Sequence, residues 1–154
     1  MALDFKSIAN KKLNEVERPP LPPVGTYLWT ITKIPSIETL SGDKWDVVDF
    51  SLKAVAPTED VDPDALAAYG VVGNILQRHR FMFNKEDPAE FDRALYNLKR
   101  FCVDIVKTAT EDMSITEAMN STVNGQILAN VVWKADKNDA EVFHANIGRC
   151  APAQ

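Results

Sequence analysis

The chain is poor in the residues that most often carry chemistry. Among its 154 residues there are only two cysteines and two histidines. Cys102 and Cys150 are too few for a disulfide framework, and neither belongs to a C-x-x-C pair of the kind that holds structural zinc. Cys102 falls on the apolar stripe of an expected helix and reads as a small buried hydrophobe. The sequence has no G-x-S-x-G elbow, no phosphate-cradling glycine loop and no H-E-x-x-H pair, so acyl transfer, P-loop chemistry and zinc proteolysis each lack their signature. His79 shares a strand face with phenylalanines, as a core or rim residue does, and His144 has no carboxylate or nucleophile assigned to it. Asp46 and Asp49 fall on opposite faces of one strand, which is poor geometry for shared metal binding or acid–base work. The expectation is a protein that is not an enzyme and uses neither metal nor cofactor.

Long apolar runs are missing too. No stretch approaches the length that spans a bilayer, and Met1–Asn10 does not read as a signal peptide. A cytoplasmic protein with no membrane partner is expected.

What is present suits one globular domain with a sizeable core: 45% apolar and 25% charged residues. A formal charge of -5 argues against a general DNA-wrapping protein, but the charge is uneven. Thr58–Asp64 alone carries four carboxylates, whereas Val71–Lys85 carries three cationic residues and no acidic one. A local positive surface is compatible with a negative total.

Residues 1–23 read as an arm. Mixed charges (Lys11, Lys12, Glu15, Glu17, Arg18) precede a segment with four prolines in five positions, Pro19 to Pro23. That segment excludes a helix and enforces an extended path. Leu3, Phe5, Ile8, Leu13 and Val16 offer apolar anchors, which favours a strap across the domain over a partner-binding segment or a tail. The domain is expected over 24–150, with 151–154 as a short tail.

Strand alternation is clear in five places. Thr26–Ile34 alternates Tyr27, Trp29, Ile31 and Lys33 against Leu28, Thr30, Thr32 and Ile34. After the turn Ser41-Gly42-Asp43, Trp45–Val55 places Val48, Phe50, Leu52 and Ala54 on one face, with Trp45, Val47, Asp49, Ser51 and Lys53 on the other. Ile75–Phe83 is the third strand, with His79, Phe81 and Phe83 opposed to Arg78, Arg80 and Met82. Gln126–Lys134 and Glu141–Arg149, joined by Lys137-Asn138-Asp139, are the last two.

Helices are announced by their caps. Asp60, Asp62 and Asp64 have the spacing of a calcium loop, but Ala65 and Val71 stand where that loop needs glycine and glutamate. Helix capping explains the segment better: Asp62 as cap, Pro63 at the first helical position, Gly70 as stop. Asp87-Pro88-Ala89-Glu90 opens a longer helix over 88–106, with Phe91, Leu95, Leu98, Cys102 and Ile105 on its apolar stripe. Ser114-Ile115-Thr116-Glu117 opens a short one.

Three strands, a long helix, a shorter helix and two strands define a mainly β, α+β chain. Its layout is that of a five-stranded OB-like barrel with the long helix between strands 3 and 4. An open sheet covered by that helix is the alternative. On such a barrel the outer surface of the second and third strands tracks single-stranded nucleic acid. The alternation turns Trp45 and Lys53, and Arg78 and Arg80, onto that surface. Lys33, with Tyr27 and Trp29, extends it along the first strand. The seven together offer stacking surfaces for bases and cations for phosphates. Tyr27, Trp29 and Trp133 are equally compatible with a core, where large aromatics usually sit.

The segments LNEVERPPLPPVGTYLW, WDVVDFSLK, EDVDPDAL, RHRFMFN and GQILANV resemble small phage-encoded proteins of the replication and recombination region. More distantly, they resemble phage single-stranded DNA-binding proteins. The resemblance covers roughly residues 13–150 and implies an OB-like fold and service in phage DNA replication in the host cytoplasm, with single-stranded DNA and replication proteins as partners. Many such proteins recruit partners through an acidic tail. This sequence ends Gly148-Arg149-Cys150-Ala151-Pro152-Ala153-Gln154 without an acid, so tail-mediated recruitment is not expected. Oligomeric state is left open, a homo-oligomer included. Two functions follow: a non-enzymatic binder of single-stranded DNA acting by stacking and phosphate neutralisation, or a phage structural or adaptor module that docks through its N-terminal arm.

Overall fold

The computed structural model describes residues 4–16 and 20–153. Of the expected arm, Leu3, Glu17, Arg18 and Pro19 lie outside these, as does Gln154 of the expected tail. Six strands form among the described residues: β1 Gly25–Ile31, β2 Ser36–Thr39, β3 Trp45–Pro57, β4 Leu76–Asn84, β5 Gln126–Ala135 and β6 Phe143–Pro152. Four α-helices accompany them: α1 Phe5–Ile8, α2 Pro63–Tyr69, α3 Pro88–Arg100 and α4 Ile115–Ser121.

The fold is α+β, with one antiparallel, open sheet in the order β2-β3-β1-β5-β6 and β4 on the opposite edge of β3. The five-strand expectation is corrected to six. The missed strand, β2, is exposed at all four residues and pairs only with β3, so it has no buried face to leave an alternation in the sequence. β4 and β6 approach one another without forming a ladder; His79 Nε2 and Cys150 Sγ meet there at 3.8 Å. The last strand also runs through Ala151 and Pro152, which pair with Leu128 and Ile127, so these two positions belong to the sheet and not to a tail.

The alternating residues of β1 and β3 build the core. Tyr27, Trp29 and Ile31 meet Phe50, Leu52 and Ala54 from β3, and Ile127, Ala129 and Val131 from β5, all essentially inaccessible to water. The polar ends of the two large aromatics are satisfied inside. Trp29 Nε1 donates to the Ala129 carbonyl at 2.9 Å, and the Tyr27 hydroxyl donates to the Pro23 carbonyl at 2.8 Å. The Trp133 indole donates to the Pro22 carbonyl at 2.8 Å, and Pro22 and Pro23 are buried. The proline segment from Pro20 onward is therefore a strap fixed to the domain.

The caps act as the sequence implies. The Asp62 carboxylate accepts from the Asp64 amide at 3.0 Å, Asp87 accepts from Ala89 and Glu90, and Ser114 accepts from Glu117. The main helix departs from its expected course at its end. After Arg100 it widens into a π-turn, Phe101–Ile105, with the Val106 amide reaching the Phe101 carbonyl at 2.8 Å. Phe101 and Cys102 both face inward, carrying the i, i+3, i+4 stripe of Leu98 on into the wider turn. Phe101 packs against Phe50 and Phe81 with ring centroids 4.8 Å and 5.4 Å apart.

β1 starts at Gly25, whose φ of +133° lies in the region that favours glycine. A Cβ at this position would stand 2.7 Å from Val61 Cγ2. The approach is held by Asp60, which accepts from the Thr26 amide and hydroxyl at 2.8 Å each. Gly25→Ala is expected to cost on the order of 1–3 kcal/mol, the usual range for enforced backbone strain. A lowered urea midpoint with unchanged slope checks this; an unchanged midpoint contradicts the tight packing of strap, β1 and the 58–62 segment.

Candidate nucleic-acid interface

In an antiparallel ladder, directly opposed residues point to the same face. β3 and β4 pair from Trp45↔Asn84 to Lys53↔Leu76. Asp49↔Arg80, Ser51↔Arg78 and Lys53↔Leu76 therefore share the outer face, and Phe50↔His79 and Val48↔Phe81 share the inner one.

On the outer face lies a groove of about 630 Å³, lined by Thr32, Lys33, Ser51, Leu76, Arg78 and Arg80, with Asn146 reaching in from β6. Among the described residues, three cations line it and no carboxylate does. Lys33 joins the arginines because β1 ends at Ile31, which releases Lys33 from the core-facing alternation of Tyr27 and Trp29.

Beneath the arginines sits Asp49. Its Oδ2 accepts from Arg80 Nε at 3.2 Å and from Arg78 Nη1 at 3.4 Å. The Asp49 side chain is 8% exposed, against 66% for Arg78 and 53% for Arg80. A guanidinium carries five N–H donors, so one bond to Asp49 leaves most of each fork facing solvent. The sequence placed Asp49 on the correct face, but its role depends on cross-strand register, which alternation within one strand does not supply.

Of the seven residues expected at the surface, the structure gathers Lys33, Arg78 and Arg80. Lys53 stands on the same face beside Thr30 and Leu76, exposed but outside the groove wall. Trp45 is half-buried at the far end of β3, four residues or about 13 Å from Asp49 at ~3.3 Å per residue. Lys44 Nζ lies 5.6 Å from its ring centroid. Tyr27 and Trp29 are corrected from surface to core: both are fully buried and hydrogen-bonded inside. The reason is that β1 is central in the sheet order, and its aromatic face is the one turned toward the core. Among the described residues, no aromatic side chain lines the groove.

The other titratable groups have structural roles. Hydrogen bonds from Thr39 and Lys85 hold Asp46 below the usual carboxylate range, and those from Thr58 and Thr26 do the same for Asp60. His144 Nε2 lies 2.8 Å from Asp136, on the β5–β6 hairpin. Burial pushes both thiols up to about 11, which keeps them protonated and poor nucleophiles near neutral pH. No group of three or more His, Cys, Asp or Glu residues able to hold a metal ion occurs among the described residues. None of their helices is long and apolar enough to cross a membrane.

His79 packs between Phe81 and Phe101, with ring centroids at 4.8 Å and 5.0 Å. Burial lowers its pKa below 6.5, with the Asp49 charge opposing the shift. The folded chain thus resists protonation that the unfolded chain accepts. This stabilisation is fully present above pH 6.5 and is lost as pH falls from there toward the lower folded value. The lowered carboxylates act further down, as pH falls below the ordinary aspartate value of 3.8. The wild-type melting temperature is expected to fall between pH 7.5 and 5.5, and His79→Phe to flatten that fall. Identical slopes for the two proteins contradict a half-buried imidazole held neutral.

Comparison with protein-family models gives no match, and comparison with curated proteins gives none either. The functional reading of this chain therefore rests on the chemistry of its groove.

Proposed function

We propose that this protein is a non-enzymatic binder of single-stranded DNA that holds the strand by its phosphates across the outer face of β3 and β4. The observation that carries the proposal is the groove in which Lys33, Arg78 and Arg80 converge with no carboxylate of the described residues in the wall. Ser51, Thr32 and Asn146 add polar side chains to the same wall. Such a site neutralises a phosphodiester backbone without reading sequence.

An OB-like reading of the sheet supports the choice of face. If β2 is taken as the continuation of β1 past Pro35, five strand units remain. The first pairs with the second and the fourth, the helix follows the third, and the fifth lies beside the third. In OB folds the face of the second and third strands is the usual binding surface. Stacking has a smaller part than the sequence suggested, with the half-buried Trp45 as the aromatic of this face that remains from the expected set. A place in phage replication or recombination rests on the sequence resemblance.

A second reading is favoured by one feature. Phe5, Ile8, Leu13 and Val16 are exposed, and the backbone hydrogen bonds of residues 4–16 are local, such as Ser7 to Asp4 and Lys11 to Ile8. The arm anchors expected to fasten this part of the strap are therefore turned to solvent, as they would be in an adaptor that docks through its arm.

Anisotropy of a labelled oligo-dT separates the two. The DNA reading expects binding at low salt with an affinity that falls steeply as salt rises, by a log–log slope of about -0.7 per phosphate contact. Lys33→Ala with Arg78→Ala leaves Arg80 to compensate Asp49, and is expected to reduce the slope by about 1.4 at nearly unchanged melting temperature. Absence of binding at low salt sinks the DNA reading. Binding that disappears when residues 4–16 are deleted, with the groove intact, transfers the role to the arm.

A further inference from the structure

The Arg78–Asp49–Arg80 trio is an unusual way to use a buried charge. Both guanidinium groups meet a single oxygen, Oδ2, at 3.4 Å and 3.2 Å. The other oxygen, Oδ1, is buried and has no hydrogen-bond partner among the described residues. Burying a carboxylate is costly, and leaving one of its oxygens unpaired adds to that cost. The same strand face carries Val47 and Ser51 on either side of Asp49, so an uncharged residue fits the position. Arg78 and Arg80 are themselves more than half exposed and need no counter-ion to remain solvated. Stability therefore does not account for Asp49.

Its effect on the groove does. The two arginines and Lys33 carry three positive charges; Asp49 reduces the local sum to two. It lies within hydrogen-bonding reach of both guanidiniums, closer than any ligand phosphate on their outer side can come to it. Its field therefore opposes an incoming anion at short range, where solvent screening is weakest. We propose that Asp49 is a built-in counter-anion that restrains the affinity of the Arg78/Arg80 pair for phosphodiesters, so that a strand is held reversibly. This rests on the reading of the groove as a phosphate-binding surface and adds the group that sets how tightly it holds. Asp49 acts through the arginines and is a positioning and tuning residue.

Asp49→Asn keeps the shape and the acceptor oxygen that aligns the arginines, and removes the charge. One more effective cation at a slope of ~0.7 per contact predicts about fivefold tighter oligo-dT binding at 0.1 M salt, with the salt slope steeper by about 0.7. Asp49→Ser is a second uncharged variant of a size already present on this face, and is expected to shift affinity in the same direction. Asp49→Glu retains the charge and is expected to stay near wild-type affinity. In an Arg78→Ala background, the gain from Asp49→Asn is expected to shrink, because the two act as a coupled pair. Melting temperatures confirm that each variant is folded.

Inorganic pyrophosphate, titrated in parallel, separates this inference from the DNA reading. If oligo-dT fails to bind but Asp49→Asn strengthens pyrophosphate capture, the single-strand reading falls and the counter-anion role stands. If oligo-dT binds with equal or weaker affinity in both folded uncharged variants, the counter-anion role is overturned and the single-strand reading survives. If neither probe binds wild type or variants, both are overturned.

Discussion

The ladder between β3 and β4 is the constraint on which the candidate site depends. Because side chains alternate with a period of two, a slip of one residue in β4 turns His79, Phe81 and Phe83 to solvent and drives Arg78 and Arg80 into the core. The register is fixed from the inside by the aromatic cluster of Phe50, Phe81 and Phe101. Each aromatic pair contributes about 0.5–1.5 kcal/mol beyond its area burial, and both pairs made by Phe81 are lost together in a slipped register. The π-turn that seats Phe101 thus helps to decide which cations face outward, although it lies on the other side of the sheet from them.

Charge in this chain is organised by distance. The total is -5, yet four of the 22 acidic residues cluster in the 58–64 segment, where Asp62 caps α2 and Asp60 holds Thr26. At ordinary ionic strength, charges further apart than about 8–10 Å are largely screened when exposed. The groove is then governed by its own wall and by Asp49 behind it, and a negative total does not preclude contact with a polyanion.

Much of the architecture was legible in the sequence. The caps at Asp62, Asp87 and Ser114 mark helix starts that the structure places there, because a capping side chain acts on amides within three residues. The alternation of β4, and of β3 from Phe50 onward, separates core from surface for the same local reason, whereas Val47 and Asp49 are buried on the outer face as well. What escaped is what depends on non-local geometry. β2 is exposed throughout and leaves no pattern. The π-turn over Phe101–Ile105 reads in the sequence as the end of a regular helix, because its widening leaves the apolar stripe in place. Tyr27 and Trp29 lie on a strand whose neighbours on both sides make it central, a fact no single strand reveals. Lys33 was grouped with them by alternation, but the strand ends two residues earlier, and that ending carries Lys33 to the arginines.

The central claim is that a single strand lies in the groove between Lys33, Arg78, Arg80 and Asn146. The most direct test is a backbone amide shift map of isotope-labelled protein titrated with oligo-dT. The account predicts that the largest shifts fall on Thr32, Lys33, Ser51, Gln77, Arg78, Arg80 and Asn146, extending toward Trp45 as the oligonucleotide lengthens. Shifts confined to residues 4–16, or to the face formed by α3 and α4, would contradict it.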